Sequence, residues 1–374
     1  MTRNYRIRFC ANNFAADAAA TLTASSAQAA FPLSNLTNDL RFKVWKPAGN
    51  FTISDANNKV YINDGADKTV TLTNGNYAYS ALATHIQTQL NASSSGWTVS
   101  YSTTTYKFTV GRASGTALLR FSQTTNAVWD AVGYTGSSDT DAGTGLAADE
   151  QRNHTSEYVD IDLGVGRPIT FFALVGRLTR VFSLSSTATV RLYGNTVASM
   201  ASPALTVTLS PETFGIYHFL DDLADTTYRY WRLECIDRTN PAGPEGFEFG
   251  HLYLGDYTTI NFSNVQTGFS KTLVDTAVEQ VSEGGASFFQ DGFKYLSFDS
   301  TQIANMTAAD RRDLEQVFYD LGRSTPFYVS FDPTLGVSTE LSELTRYVVF
   351  SQDPVFTNVI RDVYTVSMAF KEVM

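Results

Sequence analysis

Cysteine is nearly absent from this chain: 374 residues hold two, Cys10 and Cys235. Two thiols so far apart build neither a disulfide framework nor a zinc site. They read as separate thiols, at least one of them buried, with a single bridge between them as the alternative. Histidine is also scarce, and none of His85, His154, His218 and His251 has a partner at the H-x-x-x-H spacing of a metal pair. Neither G-x-S-x-G nor the phosphate-cradling G-x-x-x-x-G-K-[ST] occurs. No run approaches the ~20 apolar residues of a membrane span. The opening Met-Thr-Arg-Asn-Tyr-Arg lacks the apolar core of a signal peptide. The expectation is a chain with no membrane insertion, made in a cytosol and kept there or assembled there into a particle. Positive charge is in deficit, 27 Lys and Arg against 37 Asp and Glu, for a net charge of -10. That balance argues against holding nucleic acid by charge attraction. Residues 1–50 are the exception, being net basic.

Apolar side chains are plentiful, at 43% hydrophobic and 13% aromatic, enough for a substantial core and favourable to strands. The length suggests two to three domains. The most telling stretch runs from Ser156 to Asp256. Short runs rich in Val, Ile, Leu, Phe, Tyr and Trp are separated there by Gly, Pro and Asn, the pattern of a packed all-β sandwich. Tyr158, Val159, Ile161 and Leu163 alternate partially, Phe171 to Val175 is nearly continuous, and in Tyr228 to Leu233 apolar residues alternate with arginines. At the N-terminus Tyr5, Ile7 and Phe9 alternate with Arg6 and Arg8, a strand whose charged face, with Arg3, reads as solvated.

The order V-D-I-D-L-G (159–164), V-x-L-Y-G-N (190–195), Y-R-Y-W-R-L (228–233) and F-E-F-G-H-L-Y-L-G (247–255) resembles a discoidin-type, galactose-binding-like jelly roll. Asn35-Leu36-Thr37-Asn38-Asp39 and Val44-Trp45-Lys46 match the segment that precedes this core in the family. The resemblance implies that residues 1–50 and 154–256 form one jelly roll interrupted by residues 51–153. Within the interruption strands are expected near 51–54, 59–62, 68–73, 97–101, 106–110 and 117–121. A helix is expected from Tyr77 to Asn91, with Ser80 as N-cap and Leu82, Ile86 and Leu90 on one face. This small α+β unit, read on V-T-L-T-N-G-N-Y, the helix, W-T-V-S-Y-S and Y-K-F-T-V, resembles an insertion module of bacteriophage tail, neck and baseplate proteins.

Beyond Asp256, strands are expected near 257–262, 286–298, 326–331, 345–350 and 363–370. One helix, Thr307 to Leu321, starts on a capping-box-like Thr307/Asp310 and stops at Gly322. Strands, one helix, P-F-Y-V-S-F-D-P and a long closing strand ending F-K-E resemble the β-barrel-plus-helix domain of phage tail-tube, distal-tail and baseplate-hub proteins. Distal-tail proteins commonly place that barrel first; here it comes second. The resemblance implies a mainly β virion protein with a tail-tube-like domain over 257–374. It further implies a hexameric homo-oligomer ring at the tail tip, attached to other tail and baseplate proteins, with DNA passing unbound through the lumen. Edge contacts are expected from the 286–298 hairpin and the closing strand, at Phe288, Phe293, Tyr364, Val366 and Met368.

Chemistry is sparse. Asp160 and Asp162 share a strand face without an acid–base partner and read as a solvated edge. Asp139 and Asp141 lack the ligand series of a calcium loop. Glu245 and Glu248 flank Phe247 without a constellation. His85 reads as surface or half-buried packing and His251 as outward-facing. No catalytic residue, metal or cofactor is expected, and the chain does not read as an enzyme. The best small-ligand idea is host glycan bound by Tyr193, Trp231, Asn240 and Tyr253, with aromatic rings stacking on sugar faces. A core position for Trp231 is the favoured alternative.

Overall fold

The computed structural model describes residues 5–38, 43–47, 50–152, 156–176, 184, 188–212, 215–221, 223, 226–237, 248–262, 270–281, 287–290, 292, 294–333 and 339–373. They form a mainly β fold of several sheets, with three α-helices among the described residues.

A five-stranded antiparallel sheet takes Leu205–Leu209, Thr189–Asn195, Thr227–Ile236, Glu157–Pro168 and Thr21–Ala24 in that spatial order. Alternation sets its faces: Val159, Ile161 and Leu163 are buried, while Tyr158, Asp160 and Asp162 lie on the opposite face. The buried row meets Phe172, Leu174, Leu252 and Leu254 of a second sheet, so the two sheets close one apolar layer between them. The run Y-R-Y-W-R-L departs from the expected alternation. Tyr228 and Trp231 are both buried, and Arg229 and Tyr230 between them are both only half-buried. A register shift against the neighbouring strand between Asp162 and Arg167 re-aims these side chains. Gly194 passes this point so closely that a Cβ there would stand 2.6 Å from the Tyr228 ring.

The second sheet has ten strands. Its path is Ile216–Phe219, Phe171–Gly176, Phe249–Phe262, Tyr5–Asn13, Phe327–Ser330, Thr345–Phe350, Val363–Glu372, Lys294–Thr307 and Ser270–Asp275, with Val355–Ile360 also paired to Val363–Glu372. Strand Phe249–Phe262 is continuous through residue 256, where the sequence suggested a boundary. Its Leu252 and Leu254 serve the apolar layer above, and its Ile260 serves a separate core around helix Ala308–Leu321. The N-terminal strand Tyr5–Asn13 lies between Phe249–Phe262 and Phe327–Ser330. A Cβ on Gly255 would stand 1.8 Å from the Asn12 carbonyl oxygen, so this close approach needs glycine.

The far half of this sheet curls. Phe9 and Phe370 sit three strands apart, about 14 Å in a flat sheet, yet their ring centroids are 6.3 Å apart. The curl encloses Phe9, Phe327, Phe350 and Phe370 with Leu314, Val317 and Leu321 of the helix. That helix starts as expected, with Thr307 Oγ1 accepting from the Asp310 amide at 3.1 Å, and ends at Gly322 with φ 58°.

Curling also covers the opposite face, and two expectations fail there. His251 is buried rather than outward, its Nδ1 3.0 Å from the Tyr328 hydroxyl and its ring 4.6 Å from that of Tyr347. Arg8 is buried rather than solvated. It pairs with Asp221 at 2.5 Å, and its guanidinium lies 4.4 Å from the Phe219 ring and 4.1 Å from that of Tyr257. Arg6 is exposed, and Arg3 lies outside the described residues.

Residues 51–148 supply every buried member of a third core, in which Leu82, Ile86 and Leu90 of helix Tyr79–Ser93 meet Phe51, Trp97, Phe108 and Trp129. The cap differs from expectation. The N-cap is Ala78, with no side-chain bond, and Ser80 lies inside the first turn, its carbonyl accepting from Thr84 Oγ1 at 2.9 Å. Short sheets surround the helix, including the hairpins Lys59–Asn63/Asp67–Thr71 and Trp97–Ser102/Lys107–Arg112.

Candidate functional site

Two surfaces stand out, the outer face of the five-stranded sheet and the free edges of the curled sheet. On the outer face, antiparallel register sets side chains in rows. Thr21, Asp162 and Tyr230 are cross-strand neighbours, as are Thr23, Asp160, Arg232 and Tyr193 in the next row. The aspartates expected on a solvated edge are held by arginines. Arg232 donates to Asp160 through Nε at 2.6 Å and Nη2 at 2.8 Å, and Arg229 to Asp162 through Nε at 2.7 Å and Nη2 at 2.9 Å. The Arg229 bonds hold the Asp162 carboxyl below the usual carboxylate range, helped by the Gly164 amide. Arg232 lies 4.0 Å from the Tyr158 ring and Arg229 4.8 Å from the Tyr230 ring.

The residues picked out for sugar stacking are not brought together. Tyr193 is half-buried on this outer face, its hydroxyl donating to Glu234 at 2.9 Å. Trp231 is fully buried in the layer below, its indole N–H donating to the Tyr228 carbonyl at 3.1 Å, so its ring offers no face to a ligand. Tyr253 is buried on the far face of the other sheet, donating to the Asp256 carbonyl at 2.9 Å. Asn240 lies outside the described residues. A groove of about 310 Å³ does open on the outer face, lined by Thr21, Asp160, Asp162, Met200, Tyr230 and, at its floor, the buried Trp231, among others.

The expected contact residues of the C-terminal region need the same correction. The closing strand Val363–Glu372 is not an edge. It is paired on one side by Lys294–Thr307 and on the other by Thr345–Phe350 and Val355–Ile360. Val366 and Met368 are fully buried in the core, and Tyr364 lies under Arg311 at 4.8 Å. Phe288 has its backbone in strand Ser287–Gln290, while its side chain and the whole of Phe293 lie outside the described residues. The free edges at this end are Ser270–Asp275 and Val355–Ile360, each paired on one side only among the described residues. Of the large apolar side chains that stand exposed, Leu273, Val278, Val355, Val359 and Ile360 fall on these edges or directly beside them. Segment 355–360, V-F-T-N-V-I, carries no charge and no proline. A cavity of about 430 Å³ next to the first edge is lined by Thr276, Tyr295, Arg323, Pro326, Val349 and Lys371, among others.

Among the described residues no group of three or more His, Cys, Asp or Glu is placed to hold a metal, and no helix is long and apolar enough to cross a membrane. Cys10 and Cys235 are both buried and free, in different cores, and burial pushes both thiols well up. His85 stacks on Tyr77 at 4.9 Å, and its Nε2 accepts from the Thr73 amide at 3.1 Å. Asp139 accepts from Arg120 at 2.5 Å and from the Ser122 amide at 2.9 Å. No protein-family model matches the chain, and no curated protein matches it.

Proposed function

We propose that the chain is a structural component of a phage tail tip, of the distal-tail or baseplate-ring type, and that it acts by assembly. Edge Ser270–Asp275 of one copy pairs with edge Val355–Ile360 of the next, a heterologous contact that generates a ring when its rotation closes. In this reading the curled sheet with its helix is the tail-tube-like barrel domain, and the ring continues the tail tube. The paired sheets are the discoidin-like jelly roll, projecting outward with the α+β insertion to hold fibres or receptor-binding proteins. The chain then resides in the virion after assembly in the host cytoplasm. Its net negative charge lets DNA pass along the lumen without sticking. No catalytic step and no cofactor enter this role.

The observation that carries the reading is the unprotected edge. Sheets that stay monomeric blunt their edges with lysine, proline or short length. Here six residues of V-F-T-N-V-I have one side unpaired among the described residues, with Val355, Val359 and Ile360 at 61%, 59% and 64% exposure. Full burial of such a side chain contributes about 1.5–3 kcal/mol. Covering these three and Leu273 therefore yields roughly 1–2 kcal/mol each, and each new backbone hydrogen bond adds about 0.5–1.5 kcal/mol. Together they reach the range of about 4–15 kcal/mol that association costs. Electron microscopy and mass measurement of the purified protein should find closed rings of one copy number. A monomer at every concentration tested, with no ring in any particle that carries the chain, would contradict the proposal.

A further inference from the structure

The cavity of about 430 Å³ beside edge Ser270–Asp275 combines an apolar floor with a cationic rim. We infer that it binds a small organic anion whose body is apolar, such as an aryl carboxylate or aryl phosphate.

Strand register builds the floor. The cavity forms where Ser270–Asp275 and Val363–Glu372 end and Lys294–Thr307 begins. Lys371 is opposite Ser297 on one side and Val349 on the other, and Tyr295 lies two residues from Ser297. Tyr295, Val349 and Lys371 therefore share one face of the sheet. Alternation turns Phe298 and Phe370, one residue on or back, into the aromatic core behind it. Tyr295 and Val349, with Pro326 and Val373, are each half-buried and make the apolar surface of the cavity.

Two exposed cations, Lys371 and Arg323, stand at the rim. The Lys371 ammonium is held 4.5 Å from the Tyr295 ring and forms no ion pair among the described residues. Arg323 is steadied by its Nη2 donating to the Ser351 carbonyl at 2.7 Å. Its contact with Asp353, 3.9 Å from Nε, is loose, since both side chains are more than half exposed. The acid in the lining, Glu372, accepts from the Leu296 amide at 3.2 Å. A cationic ligand thus meets net positive charge, and a neutral one leaves both cations unused. A nucleic acid strand is opposed by the net charge of -10, and two cations over one recess cannot follow its phosphates. An anion with an apolar body uses every part. Lys371 and Arg323 retain N–H donors for its charged end, beside the Ser324 and Thr276 hydroxyls. Its body lies on the floor, in a volume of ordinary size for a small-molecule site.

The test is titration of the full-length protein with benzoate and phenyl phosphate, read by ligand-observed NMR, with benzamide and benzylamine as the neutral and cationic comparisons. At least one of the two anions should bind saturably in the millimolar range or tighter, and the tighter of the two identifies the charged group. Benzamide and benzylamine should bind at least about tenfold more weakly, the effect of losing a charge-assisted hydrogen bond. Lys371→Met keeps the stem over Tyr295 and should weaken anion binding by more than about fivefold, as should Arg323→Gln. Arg361→Gln, on an exposed cation beside the other end of strand Val363–Glu372, should leave it unchanged. The substituted side chains are exposed, so the variants should melt with wild type. Absence of saturable binding by both anions would overturn the inference. So would benzamide binding as tightly as either anion, or binding indifferent to both Lys371→Met and Arg323→Gln. The inference does not rest on edge pairing, and rings with an empty cavity would leave the assembly reading standing.

Discussion

Phe9→Ala tests how the N-terminal strand ties the molecule together. Phe9 is fully buried, with the rings of Phe327, Phe350 and Phe370 at 6.1, 6.5 and 6.3 Å. Removing a buried phenylalanine costs about 3–5 kcal/mol. Three aromatic neighbours place this site near the upper end, since each such pair adds roughly 0.5–1.5 kcal/mol. At about 2–4 °C per kcal/mol for a region of this size, the transition that includes the curled sheet should fall by roughly 10–20 °C. The strand is paired on both sides, so the loss should spread in a definite pattern. Hydrogen exchange should quicken at 327–330, 249–262 and 363–372, which share its sheet or its core. The insertion's own core, built from 51–148, should keep both its protection and its melting temperature. Equal loss of protection in the insertion, or full protection retained at 327–330, would refute the argument.

Two further outcomes follow from the same structure. Ile360→Asp, with Val359→Lys as a second variant, places a charge on the uncovered edge and should shift the assembly midpoint by at least about tenfold in concentration, the effect of 1.4 kcal/mol. Sedimentation velocity reads this, and melting of the monomer should stay within about 0.5 kcal/mol of wild type, as for an exposed site. His85 should make the insertion sensitive to acid. Burial lowers its affinity for a proton below the ordinary pKa of 6.5, and its Nε2 must stay deprotonated to accept from Thr73. The unfolded chain therefore takes up the proton first, so this contribution is complete above pH 6.5 and is lost as pH falls toward the folded value. Thermal unfolding between pH 5 and 8 should show that loss in wild type and not in His85→Gln.

Much of the sheet content was legible because it lies where one face is buried. Val159/Ile161/Leu163 against Asp160/Asp162 announces both the strand and its inward side, and Thr307 with Gly322 brackets a helix by chemistry that acts within a few residues. What alternation cannot report is the covering of the second face. Arg8 and His251 occupy outward positions of their strands, and only the curl of the sheet, a long-range property, buries them. The bulge near Arg229 and Tyr230 was hidden for a related reason, since the register shift depends on the partner strand. Edge strands failed in the opposite sense. Ser270–Asp275 is exposed nearly throughout, so no alternation marks it, and Val355–Ile360 gives no local sign that its second side is unpaired. The closing strand looked like an edge because it is last in sequence, whereas in space it is central. Three of the four sugar-binding candidates, Tyr193, Trp231 and Tyr253, were aromatics in strands, yet aromatics in strands are mostly what cores are made of, as Trp231 and Tyr253 are.

The central claim is that two different edges of this chain recognise each other, and cross-linking tests it most directly. Copies carrying Thr272→Cys are mixed with copies carrying Asn358→Cys and treated with a short bis-maleimide; both positions are exposed, and native Cys10 and Cys235 are buried. The account predicts a covalent dimer in the mixture, none from either variant alone, and a ladder ending at the ring when one chain carries both substitutions. No product at any concentration, or the same product from Thr272→Cys alone, would contradict it.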